Sequence, residues 1–259
     1  MFYVSSAIWA IILLAAVFLF GLWFLRNVWF YRDPERKPDS VTPGSVVAPA
    51  DGRVVYIKRI ERGTLSCEKL GQTIPLPEIT GNAPPDVDGF SIGIYMSPLD
   101  VHFNYCPHPG VVEQICYTPA KVNLPMLDMW EYIKVVWLRK MVNLFGRRYH
   151  LENERNTIFL DCGGIKMAVV LIADKFVSKI KCFVREGQSL GYSEKLGFID
   201  RGSQVDLVIL SPNVEFLVDV NQQVYGGKTV IALLRNPAHD GGVCPHTATR
   251  EYECDNKED

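Results

Sequence analysis

Hydrophobic and polar positions divide the chain into zones of different chemistry. Residues 7–25, AIWAIILLAAVFLFGLWFL, contain no charge. A run of that length matches a bilayer hydrocarbon core of roughly 30 Å. It predicts a transmembrane anchor over residues 1–28. Trp9, Trp23 and Trp29 stand near its ends, where amphipathic rings favour the membrane interface. A cleaved signal peptide fits less well, because no basic residue precedes the run and no small-residue cleavage site follows it. Arg26, Arg32, Arg36 and Lys37 all lie after the run. The excess of positive charge on that side predicts a single-pass chain with its larger part in the cytoplasm.

The next stretch, RDPERKPDSVTPG over 32–44, is polar and holds three prolines. It reads as a linker over 29–44. From Val46 onward the pattern changes to short β-type runs separated by Gly, Pro and Asp: VVAPADGRVVYIKRI, FSIGIYMS, GVVEQICYT, TIFLDC, IKMAVVLIA, KIKCFV, SQVDLVIL, VEFLVDV and KTVIALL. Strands at such spacing predict a mainly β (α+β) fold, a sandwich or barrel-like β domain over 45–237. One segment breaks the pattern. In residues 124–150 the positions Leu127, Trp130, Ile133 or Lys134, Trp137, Met141 and Leu144 follow helical spacing. Lys134, Arg139, Lys140, Arg147 and Arg148 make this inserted amphipathic helix basic. Two readings stand side by side: a helix pressed on anionic lipid, or one packed on the sheet with a solvated basic face. Residues 238–259 are rich in Gly, His and charge and read as a flexible tail.

Composition narrows the function classes. Apolar residues make up 48% of the chain and charged ones 22%, which supports a packed core and excludes wholesale disorder. The formal net charge of −2 gives no electrostatic reason to expect nucleic acid. Seven cysteines, at 67, 106, 116, 162, 182, 244 and 254, form no C-x-x-C pair. An odd, unpatterned set argues against a disulfide framework and a structural metal, and for reduced thiols. His239, Cys244, His246 and Cys254 in the tail match no common zinc spacing.

Three clusters carry candidate chemistry: PADG over 49–52, MSPLDVHFNYCPHPGVV over 96–112, and Arg201-Gly202-Ser203. Singly each has a plain structural explanation. Asp-Gly makes hairpin turns, Gly-Ser is ordinary turn chemistry, and a lone His is more often structural than catalytic. No G-x-S-x-G elbow surrounds Ser203. Taken alone, these residues describe a membrane-anchored β protein whose function stays open.

In this order, however, the clusters resemble the phosphatidylserine decarboxylase proenzyme family, closest to its shorter, single-span branch and decarboxylase-related members. The matching pieces are YRDPERKP after the span, VVAPADGRV, YMSPLDVHFNYCPHPGVV, NERNT at 153–157 and GFIDRGSQVDLVI. They extend from about Trp29 to Leu210. The resemblance implies a self-processing, pyruvoyl-dependent enzyme that converts phosphatidylserine to phosphatidylethanolamine and CO2 in phospholipid biosynthesis. By that likeness Ser203 attacks the Gly202 carbonyl. The chain then splits into residues 1–202 and 203–259, and Ser203 ends as an N-terminal pyruvoyl group. The residue types suit the task. Serine becomes a nucleophile once a base takes its proton, and glycine leaves its carbonyl open and tolerates strained backbone. The pyruvoyl group supplies the electron sink for loss of CO2.

The likeness also places His102 at an active-site histidine and Asp51 at an aspartate that supports self-cleavage by orienting and charging a histidine. The partners it implies are a membrane phospholipid substrate and the two cleavage chains held together, with a homodimer left open. Three positions depart from the family pattern. Tyr105 stands where longer members carry a second histidine. His108 lies nearby but is bracketed by Pro107 and Pro109. Arg201 replaces a usual apolar aromatic residue. Arg201, His108 and Tyr105 are the candidates for substrate contact, and Arg201 equally stands to hinder processing. Three alternatives remain: a pyruvoyl decarboxylase of another amino-acid head group, an unprocessed non-catalytic relative that binds lipid or a partner, and, more weakly, a Ser-His-Asp hydrolase.

Overall fold

The apolar N-terminal run forms a helix, α1 (Phe2–Phe24), which passes directly into a π-helical turn over Leu25–Trp29. None of its described side chains is buried by the rest of the protein. By length and composition this helix can cross a membrane. The computed structural model describes residues 2–67, 72–82, 86–122, 124–128, 130, 131, 134, 145, 149–174, 180–200 and 203–235.

The stretch read as a linker does not stand away from the body. Phe30 is 4% exposed. Tyr31 stacks on Phe198 at 5.7 Å, Asp33 pairs with Lys195, and the Asp39 N–H donates to the Lys228 carbonyl at 3.2 Å.

The body is built from antiparallel strands. In the first half these are β1 (Ser45–Val47), β2 (Gly52–Glu61), β3 (Thr64–Cys67), β4 (Gln72–Pro75), β5 (Gly89–Met96), β6 (Phe103–Tyr105) and β7 (Gly110–Thr118), with a short helix α2 (Leu76–Thr80) after β4. A helical turn α3 (Tyr149–Glu152) leads to β8 (Arg155–Asp161), β9 (Lys166–Ala173), β10 (Ile180–Cys182), β11 (Ser189–Leu190) and β12 (Lys195–Ile199). The last strands are β13 (Ser203–Leu210), β14 (Val214–Phe216), β15 (Gln223–Val224) and β16 (Val230–Leu234). The main sheet runs β11-β7-β8-β9-β13-β5-β2-β3-β4, with β15 also on β2. It curls into a half-barrel. Register shifts at Val54/Tyr56 and Val112/Gln114 help the curl, since a bulge bends its strand and increases the local twist. Two small sheets, β1-β16-β14 and β10-β12-β6, complete the body.

The centre of the main sheet is buried on both faces, which explains the nearly unbroken apolar run IKMAVVLIA. Met167, Val169, Leu171 and Ala173 face one core with Val205, Leu207 and Ile209, closed by Val46, Leu196, Ile199, Ile231 and Ala232 from the small sheets. Ala168, Val170, Ile172 and Val208 face a second core, closed by Leu76 and Ile79 of α2 and by Met126, Phe145 and Tyr149. Each fully buried Val, Leu or Ile contributes about 1.5–3 kcal/mol relative to exposure.

The amphipathic helix read over 124–150 falls largely outside the described residues, and so does the tail over 238–259. Within the former, Trp130, Glu131 and Lys134 are helical, and Trp130 and Lys134 are exposed.

Candidate active site

The PADG turn is cut to fit one place. Gly52 has φ +148, and a Cβ there would lie 2.1 Å from the Tyr95 carbonyl oxygen, so glycine alone lets β2 start this close to β5. The preceding residue, Asp51, is 3% exposed. Its carboxylate accepts from the Arg36 guanidinium at 2.7 and 2.9 Å and from the Gly226 N–H at 2.7 Å. A side chain at 226 would strike the Tyr105 ring at 2.8 Å and the Ala50 backbone at 2.9 Å, so the glycine is what allows that N–H to approach. Burial pushes the Asp51 carboxyl above its ordinary value, while Arg36 and the Gly226 N–H pull it back. Tyr105, also buried, lies with its ring 5.9 Å from the Arg36 guanidinium. The partner of Asp51 is therefore a guanidinium from the YRDPERKP stretch, where the sequence led to expect an imidazole.

His102 is fully buried. Its Nδ1 lies 3.0 Å from the Asp100 carbonyl oxygen. A carbonyl only accepts, so Nδ1 carries the proton and Nε2 keeps its lone pair. Nε2 is buried and has no hydrogen-bond partner among the described residues. The imidazole packs on the Phe30 ring with centroids 4.1 Å apart. Burial first, and the nearby Arg32 charge after it, lower the His102 pKa to about 4. At neutral pH the ring is uncharged, and Nε2 can take a proton and give it back. The loop that presents it is fixed by Asp100. That carboxylate accepts from the Ser97 N–H at 2.8 Å, the Ser97 hydroxyl at 2.6 Å and the Gln223 amide at 3.2 Å.

Ser203 opens β13, opposite Met96 of β5 and Ala173 of β9. Met96 is the last residue before the loop that leads to His102, and its Sδ lies 3.7 Å from the Asn104 amide. The start of β13 and the His102 loop thus lie at one end of the main sheet. Arg201 and Gly202 lie outside the described residues. The residue after Ser203 is held firmly. The Gln204 amide nitrogen donates to Asp206 at 2.6 Å and to His150 Nε2 at 2.7 Å, and its oxygen accepts from the Tyr149 hydroxyl at 2.7 Å. His150 Nε2 and the second Asp206 oxygen are 3.3 Å apart. All of these side chains are buried.

The structure brings Asp51 and Tyr105 together around Arg36. The charge of Arg32 reaches Asp51, Asp100, Tyr105 and His102, which links them to the histidine loop. His108 belongs to another group. Its ring packs on Tyr192 at 5.6 Å, Nδ1 lies 2.9 Å from the Pro109 carbonyl, and the Cys106 thiol donates to the His108 carbonyl at 3.1 Å. Burial raises both Cys106 and Cys162 to about 12, so neither serves as a thiolate nucleophile.

The sequence reading missed Phe30, Arg36, His150, Gln204 and Asp206 as parts of this region. The first two were legible only as flanks of a membrane span, although YRDPERKP is one of the matching motifs. Gln204 and Asp206 carried no local signal, because a polar residue in an apolar strand run reads equally well as its solvated edge, and His150 stood at the end of the segment read as a basic amphipathic helix.

Comparison with known proteins follows this geometry. A family model described as phosphatidylserine decarboxylase matches residues 23–232. The chain is 33% identical over 215 residues to a phosphatidylserine decarboxylase proenzyme of Gluconacetobacter diazotrophicus, covering 83% of this chain and 79% of that one. It is 30% identical over 206 residues to the phosphatidylserine decarboxylase proenzyme of Magnetococcus marinus, covering 79% and 76%. It is 32% identical over 207 residues to a Methanocaldococcus jannaschii protein provisionally named archaetidylserine decarboxylase proenzyme, covering 79% and 88%.

Proposed function

Because the chain belongs to the phosphatidylserine decarboxylase family, we propose that it is a self-processing, pyruvoyl-dependent decarboxylase of a serine phospholipid, with Ser203, His102 and Asp51 as its working residues. The observation that supports it best is a buried, neutral imidazole whose Nε2 lone pair has no described partner, set at the sheet end where β13 begins with Ser203.

In self-processing the Ser203 hydroxyl gives its proton to a base and adds to the Gly202 carbonyl. The amide C–N bond breaks and an ester forms. Loss of the Ser203 α-proton then breaks the Cβ–O bond, leaving a carboxylate on Gly202 and an unsaturated residue at 203. Hydrolysis of that residue consumes one water, releases ammonia and leaves a pyruvoyl group at the new chain end. His102 Nε2 is the proton acceptor we assign. Asp51, held by Arg36 and the Gly226 N–H, keeps a negative charge close to the site and offsets the nearby arginines. The start of β13 fits the group: residue 203 is paired on both sides, with Met96 of β5 and Ala173 of β9, so the new chain end would be held in the sheet. The group supplies an electron sink for loss of CO2. The protein must then return a proton to the substrate carbon, and Nε2 of His102 serves there too.

The anchor suits a lipid substrate, since enzyme and substrate then share one surface. We place the body on the cytoplasmic side from the basic residues after α1, and take 45–237 as the decarboxylase domain. The names of the relatives differ in the lipid and share the serine, so a serine head group is the part of the substrate we assign.

Intact mass and a denaturing gel test this directly. Wild type is expected as two chains, 1–202 and 203–259, the smaller one with a blocked N-terminus, and Ser203→Ala as a single chain of about 29.3 kDa. A wild type that stays whole would overturn the reading and favour a non-catalytic lipid-binding relative.

A further inference from the structure

Among the described residues Arg32 is a cation without a carboxylate. Two of its five N–H donors have partners there, both neutral carbonyls: Nη1 donates to Trp29 at 3.0 Å and Nη2 to Leu99 at 2.6 Å. Its guanidinium lies 4.3 Å from the centre of the Trp29 ring. No carboxylate among the described residues forms an ion pair with it. The acids whose charge it feels, Asp51 and Asp100, are already occupied, one by Arg36 and Gly226, the other by Ser97 and Gln223. Burial lowers the Arg32 pKa, Asp51 and Asp100 pull it back, and Arg36, itself paired with Asp51, adds a weaker like charge. A half-buried guanidinium with spare donors and no ion-paired carboxylate among the described residues is an anion site, because an incoming anion restores the hydrogen bonds that burial removes.

Its position selects the anion. Arg32 caps the turn that ends the membrane-competent helix, so it stands where that helix leaves the hydrocarbon and where lipid phosphates lie. Trp29 and Tyr31, on either side of Phe30, are 40% and 45% exposed and offer the ring surface typical of that level. Arg32 also touches the catalytic loop: Leu99, which accepts from it, is three residues before His102, and Phe30, two residues before it, packs on the His102 ring.

We propose that Arg32 binds the phosphate of an anionic lipid head group at the membrane exit and aims the remainder of the head group at His102. The guanidinium fork matches two phosphate oxygens, and in a serine phospholipid the amine and carboxylate lie a few bonds beyond the phosphorus. The identity of that head group rests on the decarboxylase reading, whereas the phosphate site does not.

The test separates the two. Full-length Ser203→Ala protein in detergent is titrated with dihexanoyl phosphatidylserine, with and without Arg32→Gln or Arg32→Lys. Arg32→Gln is expected to weaken binding by about tenfold or more, and Arg32→Lys to restore part of it, since charge survives without the fork. Dihexanoyl phosphatidylglycerol, which has the phosphodiester and no serine, should compete in the Arg32 protein. Affinities within twofold for Arg32 and Arg32→Gln would overturn the site, and equal competition by inorganic phosphate would overturn its assignment to lipid. In processed enzyme, Arg32→Gln should raise KM by about tenfold or more, with any loss of aim lowering kcat in addition. A fall in kcat at constant KM would reduce Arg32 to a brace for the Leu99 loop. If wild type neither splits nor releases CO2 but binding still depends on Arg32, the decarboxylase reading fails and the phosphate site stands.

Discussion

The Phe30 and His102 rings lie 4.1 Å apart, inclined by 37°. The residue that follows the apolar N-terminal segment is thereby the wall of the candidate catalytic histidine. The membrane-competent helix and the His102 loop are joined again by the hydrogen bond from the Trp29 indole to the Leu99 carbonyl at 3.3 Å.

Removing that wall should be felt twice. Phe30→Ala is expected to destabilise the protein by about 3–5 kcal/mol, as for other buried aromatic truncations. It should also raise the His102 pKa, because water reaches the ring. Thermal unfolding and the pH titration of the imidazole by NMR check the two effects.

Neutral His102 makes stability depend on pH. Its pKa falls from 6.5 to about 4 on folding. Between those values the unfolded chain binds a proton that the folded chain refuses. The contribution is therefore complete above pH 6.5 and is lost as pH falls toward 4, an effect of about 3 kcal/mol at most. Unfolding midpoints of wild type and His102→Gln, compared from pH 4 to 7.5, should converge as the pH is lowered. Parallel curves would contradict a buried neutral imidazole.

Arg36 and Asp51 form a pair whose side chains are 10% and 5% exposed. Arg36→Met strands a buried carboxylate and is expected to cost about 3–5 kcal/mol. Adding Asp51→Asn should recover part of the loss, measured by denaturant unfolding. Asp51→Ala should accumulate uncut chain on a denaturing gel, and normal cleavage in that variant would remove Asp51 from the role assigned to it.

The Tyr149 hydroxyl satisfies the buried Gln204 oxygen at 2.7 Å. Tyr149→Phe leaves that acceptor unpaired and is expected to cost about 1–3 kcal/mol in unfolding free energy. A loss near zero would mean that water replaces the hydroxyl there.

The sequence alone determined the elements whose periodicity is strong. The charge-free run over 7–25 became α1, SQVDLVIL became β13 over the same residues, and FSIGIYMS, GVVEQICYT and IKMAVVLIA became β5, β7 and β9. Apolar spacing suffices there because each strand buries both faces or one whole face. The long motifs were legible as a family likeness, and the family is the one the comparisons support.

Tertiary structure decided the rest. Strands β3, β4, β11 and β15 are two to four residues long, too short for any period, and exist because a neighbouring strand supplies their hydrogen bonds. PADG was legible as a turn inside VVAPADGRVVYIKRI, but only the fold sends the two halves to different sheets, with β1 on β16 and β2 on β5. Arg36 reaches Asp51 across a separation of only fifteen residues, but nothing in either motif marks the pair. A charge gains its meaning from whether it is buried and what stands opposite, and both are properties of the folded chain. For the same reason Arg36 became the neutralising partner of a buried acid and Arg32 a cation with spare donors, although the sequence offered both only as positive charge beside a membrane span.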